Sequence, residues 1–285
     1  MIGVFDSGFG GLTVHRALVR ALPRHAFVYL GDNKNAPYGT RPPLDVLNLT
    51  CTGIERLFAE GCTLVIVACN TASVVALRWI QQQWLPHRAR QGGVRRNVIG
   101  VVVPTIEAAT GMTWGEAATG RPAEQPRTIG IFATPRTVET GVYPLEIGKR
   151  RPDIRVIQQA CPDLAAAIEQ GAGATEIREM VRKYADEFRR QLGTTTPDSV
   201  ILGCTHYPLI AETFAEELPD IPLIRQSEAT ARALLSYLER HPEYGGEKSD
   251  GGKNAGQLFL STGYAPDALP LIEKFWGGKI GFRQA

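Results

Sequence analysis

Short apolar runs recur along the whole 285-residue chain, separated by stretches with helical spacing. The runs are Ile2–Phe5, Phe27–Leu30, Leu64–Ala68, Val98–Val103, Thr128–Phe132, Ile154–Ile157, Val200–Leu202 and Pro222–Ile224. They are strand-sized, β-branched and not alternating, which predicts strands buried on both faces of parallel sheets. In Thr175–Leu192 the apolar residues Ile177, Met180, Val181, Tyr184, Phe188 and Leu192 step by three and four, with arginines between them. Val46–Glu60 carries the stripe Leu47, Cys51, Ile54 and Phe58, and Gly61 takes the favoured post-helical position. A third helix is predicted from Ala72 to about Trp84, opened by Thr71. Strand–helix alternation of this kind means an α/β fold with crossover helices on both sheet faces. The stretches Pro86–Asn97, Thr113–Arg127 and His241–Gly256 break the pattern and read as surface loops or boundaries.

Composition narrows the class. Apolar residues at 44% and charged residues at 21% suit a globular chain, and the length suggests about two domains. The balance of 31 basic and 29 acidic side chains argues against a general grip on nucleic acid or anionic membrane. Arg88, Arg90, Arg95 and Arg96 accordingly read as a solvated linker face. No run approaches the roughly 18 residues of a membrane span, and the N-terminal residues lack the pattern of a signal peptide. The five cysteines, Cys51, Cys62, Cys69, Cys161 and Cys204, show no C-x-x-C spacing. Reduced thiols in a cytoplasmic setting are therefore expected, without a disulfide framework or structural zinc.

Two strand ends share one signature. Thr63-Leu64-Val65-Ile66-Val67-Ala68-Cys69-Asn70-Thr71 and Ser199-Val200-Ile201-Leu202-Gly203-Cys204-Thr205-His206 each run from an apolar strand through a small residue to a cysteine and polar residues. They lie about half the chain apart. Ligands bind at the carboxyl ends of parallel strands, so both thiols are placed at a ligand crevice, one from each of two related halves. Two identical acid/base groups suit inversion of a carbon α to a carboxylate: one removes a proton from one face, the other returns one to the opposite face. A thiol with a reference pKa near 8.5 fits that task. Asp6-Ser7 ends the first strand at the same edge, and His206 is close enough in sequence to exchange protons with Cys204. The Thr71 hydroxyl and the first N–H groups of its helix form a predicted carboxylate cradle. Gly8-Phe9-Gly10-Gly11 lacks the third glycine of a dinucleotide loop and reads as a close strand–helix approach. Cys204-x-His206 has no partner pair, so no metal site is expected.

Asp6-Ser7-Gly8-Phe9-Gly10-Gly11-Leu12, Gly31-Asp32 with Pro37-Tyr38-Gly39, Ala68-Cys69-Asn70-Thr71-Ala72-Ser73 and Gly203-Cys204-Thr205-His206-Tyr207-Pro208 resemble the signature segments of the glutamate racemase family. That family sits among the cofactor-independent aspartate/glutamate racemases, and the resemblance runs from residue 2 to about 235. It implies two pseudo-symmetric α/β domains, mainly parallel sheets, and an active site in the cleft between them. The implied division is 1–97 with 210–285 in a discontinuous first domain and 98–209 in the second. The resemblance also implies Cys69 and Cys204 as the acid/base pair, with Asp6 assisting Cys69 and His206 assisting Cys204. Asp6, Ser7, Tyr38, Gly39, Asn70, Thr71, Thr205 and His206 would hold the substrate, and Asp32 and Glu169 match further acidic positions. It implies no cofactor, a homodimer, and D-glutamate made in the cytoplasm for peptidoglycan. The chain departs from the family pattern at Ile224-Arg225-Gln226-Ser227, where an Asp-Ser pair is usual. Racemisation of another amino acid such as aspartate, a Cys204/His206 hydrolase and a non-catalytic amino-acid sensor are the alternatives. A pyridoxal-phosphate enzyme would need a Schiff-base lysine, and none of the seven lysines ends a core strand.

Overall fold

The computed structural model describes residues 1–89, 94–112, 127–245, 256–263 and 268–285. Of the expected loops, 113–126, Arg90 and 246–255 lie outside the described residues. The chain begins β1 (Ile2–Asp6), α1 (Leu12–Ala21), β2 (Phe27–Gly31), α2 (Pro43–Ala59), β3 (Leu64–Val67), α3 (Asn70–Trp79), α4 (Leu85–Ala89), β4 (Asn97–Gly100) and α5 (Val102–Thr110). It continues through β5 (Thr128–Ala133), α6 (Pro135–Glu139), α7 (Val142–Arg150), β6 (Arg155–Ala160), α8 (Leu164–Glu169), α9 (Ala174–Leu192) and β7 (Ser199–Gly203). Last come α10 (Ala211–Glu217), β8 (Leu223–Ile224), α11 (Gln226–Arg240), β9 (Gln257–Ser261), α12 (Leu269–Trp276) and β10 (Arg283–Gln284).

The strands form two parallel sheets. One has the order β10-β9-β2-β1-β3-β4 and the other β6-β5-β7-β8. Strands β1, β2, β3, β5 and β7 are buried along their whole length, as their unbroken apolar runs require. After the second sheet the chain returns to the first through β9 and β10. Strand membership differs from the expected segments at two places. β4 joins the first sheet although most of it lies past residue 97, and β8 pairs with β7 although it lies past 209.

Two local expectations are corrected. Val98–Val103 is not one strand: β4 stops at Gly100, and Val102 opens α5. Pro104 falls in the first turn of that helix, where its missing N–H costs nothing, so the helix that takes in Val102 and Val103 tolerates it. The stretch 85–89 is helical rather than loop, continuing α3 through a π-helical turn at Ile80–Trp84.

An apolar layer joins the sheets. It runs from Val4, Leu12 and Leu18 through Leu164, Ile168 and Tyr184 to Val200, Phe214 and Leu234. α11 packs on both α1 and α5, so this helix after β8 bridges the two halves. Separate cores lie under α2 and α3 on one side and under α5 and α7 on the other. No described helix is long and apolar enough to cross a membrane.

The core includes a titratable histidine. His15 on α1 is fully buried among the rings of Phe27, Tyr29, Phe259 and Trp276, at centroid distances of 5.2–5.6 Å. Burial drives its pKa from 6.5 down to about 3. An unfolded chain takes up this proton below about 6.5 whereas the folded one resists until about 3, so stability falls as pH drops through that window. His15→Phe is expected to lose less Tm than the unsubstituted chain between pH 6.5 and 4. Parallel Tm–pH curves for the two would contradict this.

Candidate active site

The site forms where carboxyl ends of strands from both sheets meet. In the first sheet Val67 pairs with Phe5, and Cys69 lies two residues past Val67. In the second, Leu202 pairs with Phe132, and Cys204 lies two residues past Leu202. The two halves therefore present their thiols at equivalent positions. One cavity of about 20 Å³ is lined by both cysteines together with Ser7, Tyr38, Gly39, Asn70, Thr71, Thr205 and His206, and also by Pro37, Thr134 and Ala165. Such a volume holds about one water.

The expected residues divide into lining and supporting groups. Asp6 does not line the cavity. It is fully buried behind it, accepting from the Gly8 N–H (3.1 Å) and from the Thr205 hydroxyl (3.3 Å). Asp32 accepts from the Tyr38 hydroxyl (2.6 Å), the Thr262 hydroxyl (2.6 Å) and the Asn35 amide, which fixes the segment carrying Tyr38 and Gly39 over the site. Glu169 accepts from His206 Nε2 at 2.8 Å, while His206 Nδ1 lies 3.7 Å from Cys204 Sγ. Phe275 meets the His206 ring edge to face.

Local chemistry differs at Thr71. Cys69, not Thr71, caps α3, its sulfur accepting from the Ala72 N–H at 3.4 Å. The Thr71 hydroxyl instead joins Thr134 (3.0 Å) and Thr137 (3.2 Å), tying α3 to the first turn of α6. Thr134 was absent from the sequence reading, yet the repeat contained it: Ser7 lies two residues past Phe5, as Thr134 lies two past Phe132. The glycine segment matches its reading as a close approach. A Cβ on Gly11 would fall 2.4 Å from the Asp6 Cβ, and one on Gly10 would fall 2.6 Å from the Thr205 hydroxyl. Gly10 thus lets the backbone of the first half lie directly on Thr205 and His206.

Electrostatics set the two thiols apart. Burial first, then the Asp6 charge, pushes Cys69 from 9.0 up to about 12, against the weaker help of Ser7 and the Ala72 N–H. Three units are about 4 kcal/mol against the thiolate. Burial also raises Asp6 to about 6, despite the His206 charge and the Gly8 and Gly11 N–H groups. Around Cys204 the arrangement is cationic. Burial disfavours a charged His206, but the Glu169 carboxylate and the Cys204 sulfur outweigh it and hold the imidazole pKa well above 6.5. Burial likewise opposes the Glu169 charge, and His206 overcomes it, keeping that carboxyl below 4.5. His206 therefore offers Cys204 a charged N–H. Among the described residues no group of three or more His, Cys, Asp or Glu side chains is arranged to hold a metal.

The Asp/Glu/Hydantoin racemase family model matches residues 2–234, most of the chain. The chain belongs to this family. Curated glutamate racemases of Phenylobacterium zucineum and a Caulobacter species are each 49% identical to it, covering the full chain and 99% of theirs. Among solved structures, a glutamate racemase of Francisella tularensis in complex with D-glutamate is 27% identical, with a TM-score of 0.79 over the full chain and 95% of that protein. A glutamate racemase isoform of Bacillus anthracis gives the same TM-score at 30% identity, over the full chain and 97% of that protein. The racemase family thus extends across both halves, including the elements that carry Cys69 and Cys204.

The ion pair makes a direct prediction. Removing the Glu169 charge withdraws the main support for the imidazolium, so Glu169→Gln should lower the pH at which His206 deprotonates. NMR titration of the His206 ring in both proteins checks this, and superimposable titrations would contradict it.

Proposed function

We propose that this chain is a glutamate racemase that interconverts the L- and D-enantiomers by two-base proton transfer between Cys69 and Cys204. The single observation that carries the reading is one cavity lined by both thiols, each from the equivalent strand end of its own half. Close relatives named glutamate racemase support the substrate.

In this scheme Cys69 takes the Cα proton of D-glutamate while Cys204 supplies one to the opposite face, and the roles reverse for L-glutamate. The Cys69 side needs help, because its thiolate is disfavoured by burial and by Asp6. A substrate ammonium seated beside Cys69 would offset that penalty. On the other side, His206, held as an imidazolium by Glu169, can return a proton to a Cys204 thiolate and become neutral as it does so. The Cα–H is a very weak acid, so the developing carbanion needs preorganised donors at the carboxylate. The hydroxyl, amide and backbone N–H groups of Ser7, Asn70, Thr71 and Thr205 are suited to this. Proton removal and return require no electron sink beyond these groups.

A site with room for about one water must open to admit glutamate and close again around it. Closure excludes bulk water, which strengthens each electrostatic contact inside. As implied by the family resemblance, the product D-glutamate would serve peptidoglycan synthesis in the cytoplasm, and the enzyme would act as a homodimer.

Cys69→Ala and Cys204→Ala are each expected to lower racemisation about a thousandfold or more, since one-sided exchange cannot invert the centre. Polarimetry with either enantiomer reads this. Near-normal turnover by either variant would overturn the two-base scheme.

A further inference from the structure

The departure from the family pattern at Gln226 has a structural counterpart. Gln226 is the first residue of α11, and its side chain is buried against Asn70, the residue after Cys69. The two amides pair reciprocally: Asn70 Nδ2 donates to Gln226 Oε1 (3.0 Å), and Gln226 Nε2 donates to Asn70 Oδ1 (2.8 Å). Tyr143 on α7, also fully buried, donates its hydroxyl to the same Asn70 Oδ1 at 2.7 Å. Three elements far apart in sequence thus converge on one side-chain amide.

We propose that Gln226 and Tyr143 are positioning residues that lock the Asn70 amide in one orientation, leaving one of its N–H groups for a substrate carboxylate. This rests on the racemase reading above. A side-chain amide offers two donors and two acceptor lone pairs. Both lone pairs of Asn70 Oδ1 are taken, by Gln226 and Tyr143, and one N–H is used by Gln226. A single N–H remains, on a residue that lines the cavity.

Tyr143 decides the sense. Gln226 alone would tolerate both amides turning over together, because the reciprocal pair is symmetric. In the turned state the Tyr143 hydroxyl hydrogen would face an NH₂ group and lose its acceptor in a buried place, which is costly. Burial raises the phenol's pKa, so it stays a donor. Gln226 also follows β8 of the second sheet, whereas Asn70 follows β3 of the first. The clasp therefore registers the two halves beside the Cys69 thiol.

A double-mutant cycle tests this, with kcat/KM for both enantiomers and the Kd of D-glutamate by calorimetry as readouts. Gln226→Met keeps the volume and removes both bonds. It is expected to lower kcat/KM and weaken D-glutamate binding about tenfold in the unsubstituted background, and by less than about twofold once Asn70→Ala is present. An equal loss in both backgrounds would overturn the proposal, because Gln226 would then act through packing or through another residue. Tyr143→Phe, which deletes one oxygen, runs the same cycle if Gln226→Met does not fold, with the same convergence expected. Turnover and D-glutamate binding by the unsubstituted protein are the control: failure there defeats the racemase reading, whereas additivity with the control intact defeats only the clasp.

Discussion

The site depends on the removal of water from two thiols that face one small cavity. In water a thiol ionises near pH 8.5 and exchanges its proton with solvent. Here Cys69 sits in a buried pocket beside a carboxylate, and about 4 kcal/mol stands against its thiolate. That cost keeps Cys69 a neutral thiol in the unliganded site. A positive charge brought beside Cys69 would relieve it.

The opposite wall solves the same problem differently. Cys204 faces His206, whose charge survives full burial because Glu169 lies 2.8 Å from its far nitrogen. An imidazolium alone in that position would lose its proton to escape the desolvation cost. Asp6 links the two walls. Its carboxylate is held by Gly8 of its own half and by Thr205 of the other, close enough to raise Cys69 and to feel His206. Pseudo-symmetry of the strand ends thus supplies matched positions, while the charged neighbours differ: Asp6 beside Cys69, and the His206–Glu169 pair beside Cys204.

Much of the fold was legible because buried parallel strands announce themselves as unbroken β-branched runs: β1 to β3, β5, β7 and β8 lie within a residue or two of those runs, and β6 runs three residues past its own. The strands that escaped were β9, a short run after a polar tract, and β10, two polar residues at the sheet edge. Both owe their existence to β2 and its neighbours, not to local pattern. At the site, the strand-end repeat brought Cys69 and Cys204 to one cavity. Glu169 and Asp32, matched only by resemblance, each support a lining residue, His206 and Tyr38. Gln226 was marked only as a departure from the family pattern and Tyr143 not at all, since an amide and a phenol acquire meaning only from the atom they are folded against. The Thr71 hydroxyl, expected in a carboxylate cradle, is instead held by Thr134 and Thr137, and the preceding sulfur takes the Ala72 N–H.

The central claim is that separate groups work on separate faces of one carbon, and isotope tracing in heavy water tests it most directly. Each glutamate enantiomer is incubated with the protein, and the early product and the remaining substrate are analysed for Cα deuterium by NMR. The account predicts deuterium in essentially all of the product, with the unreacted substrate keeping its hydrogen in the first turnovers. Product that retains the original hydrogen would show one group carrying it across, and would contradict the paired-thiol mechanism.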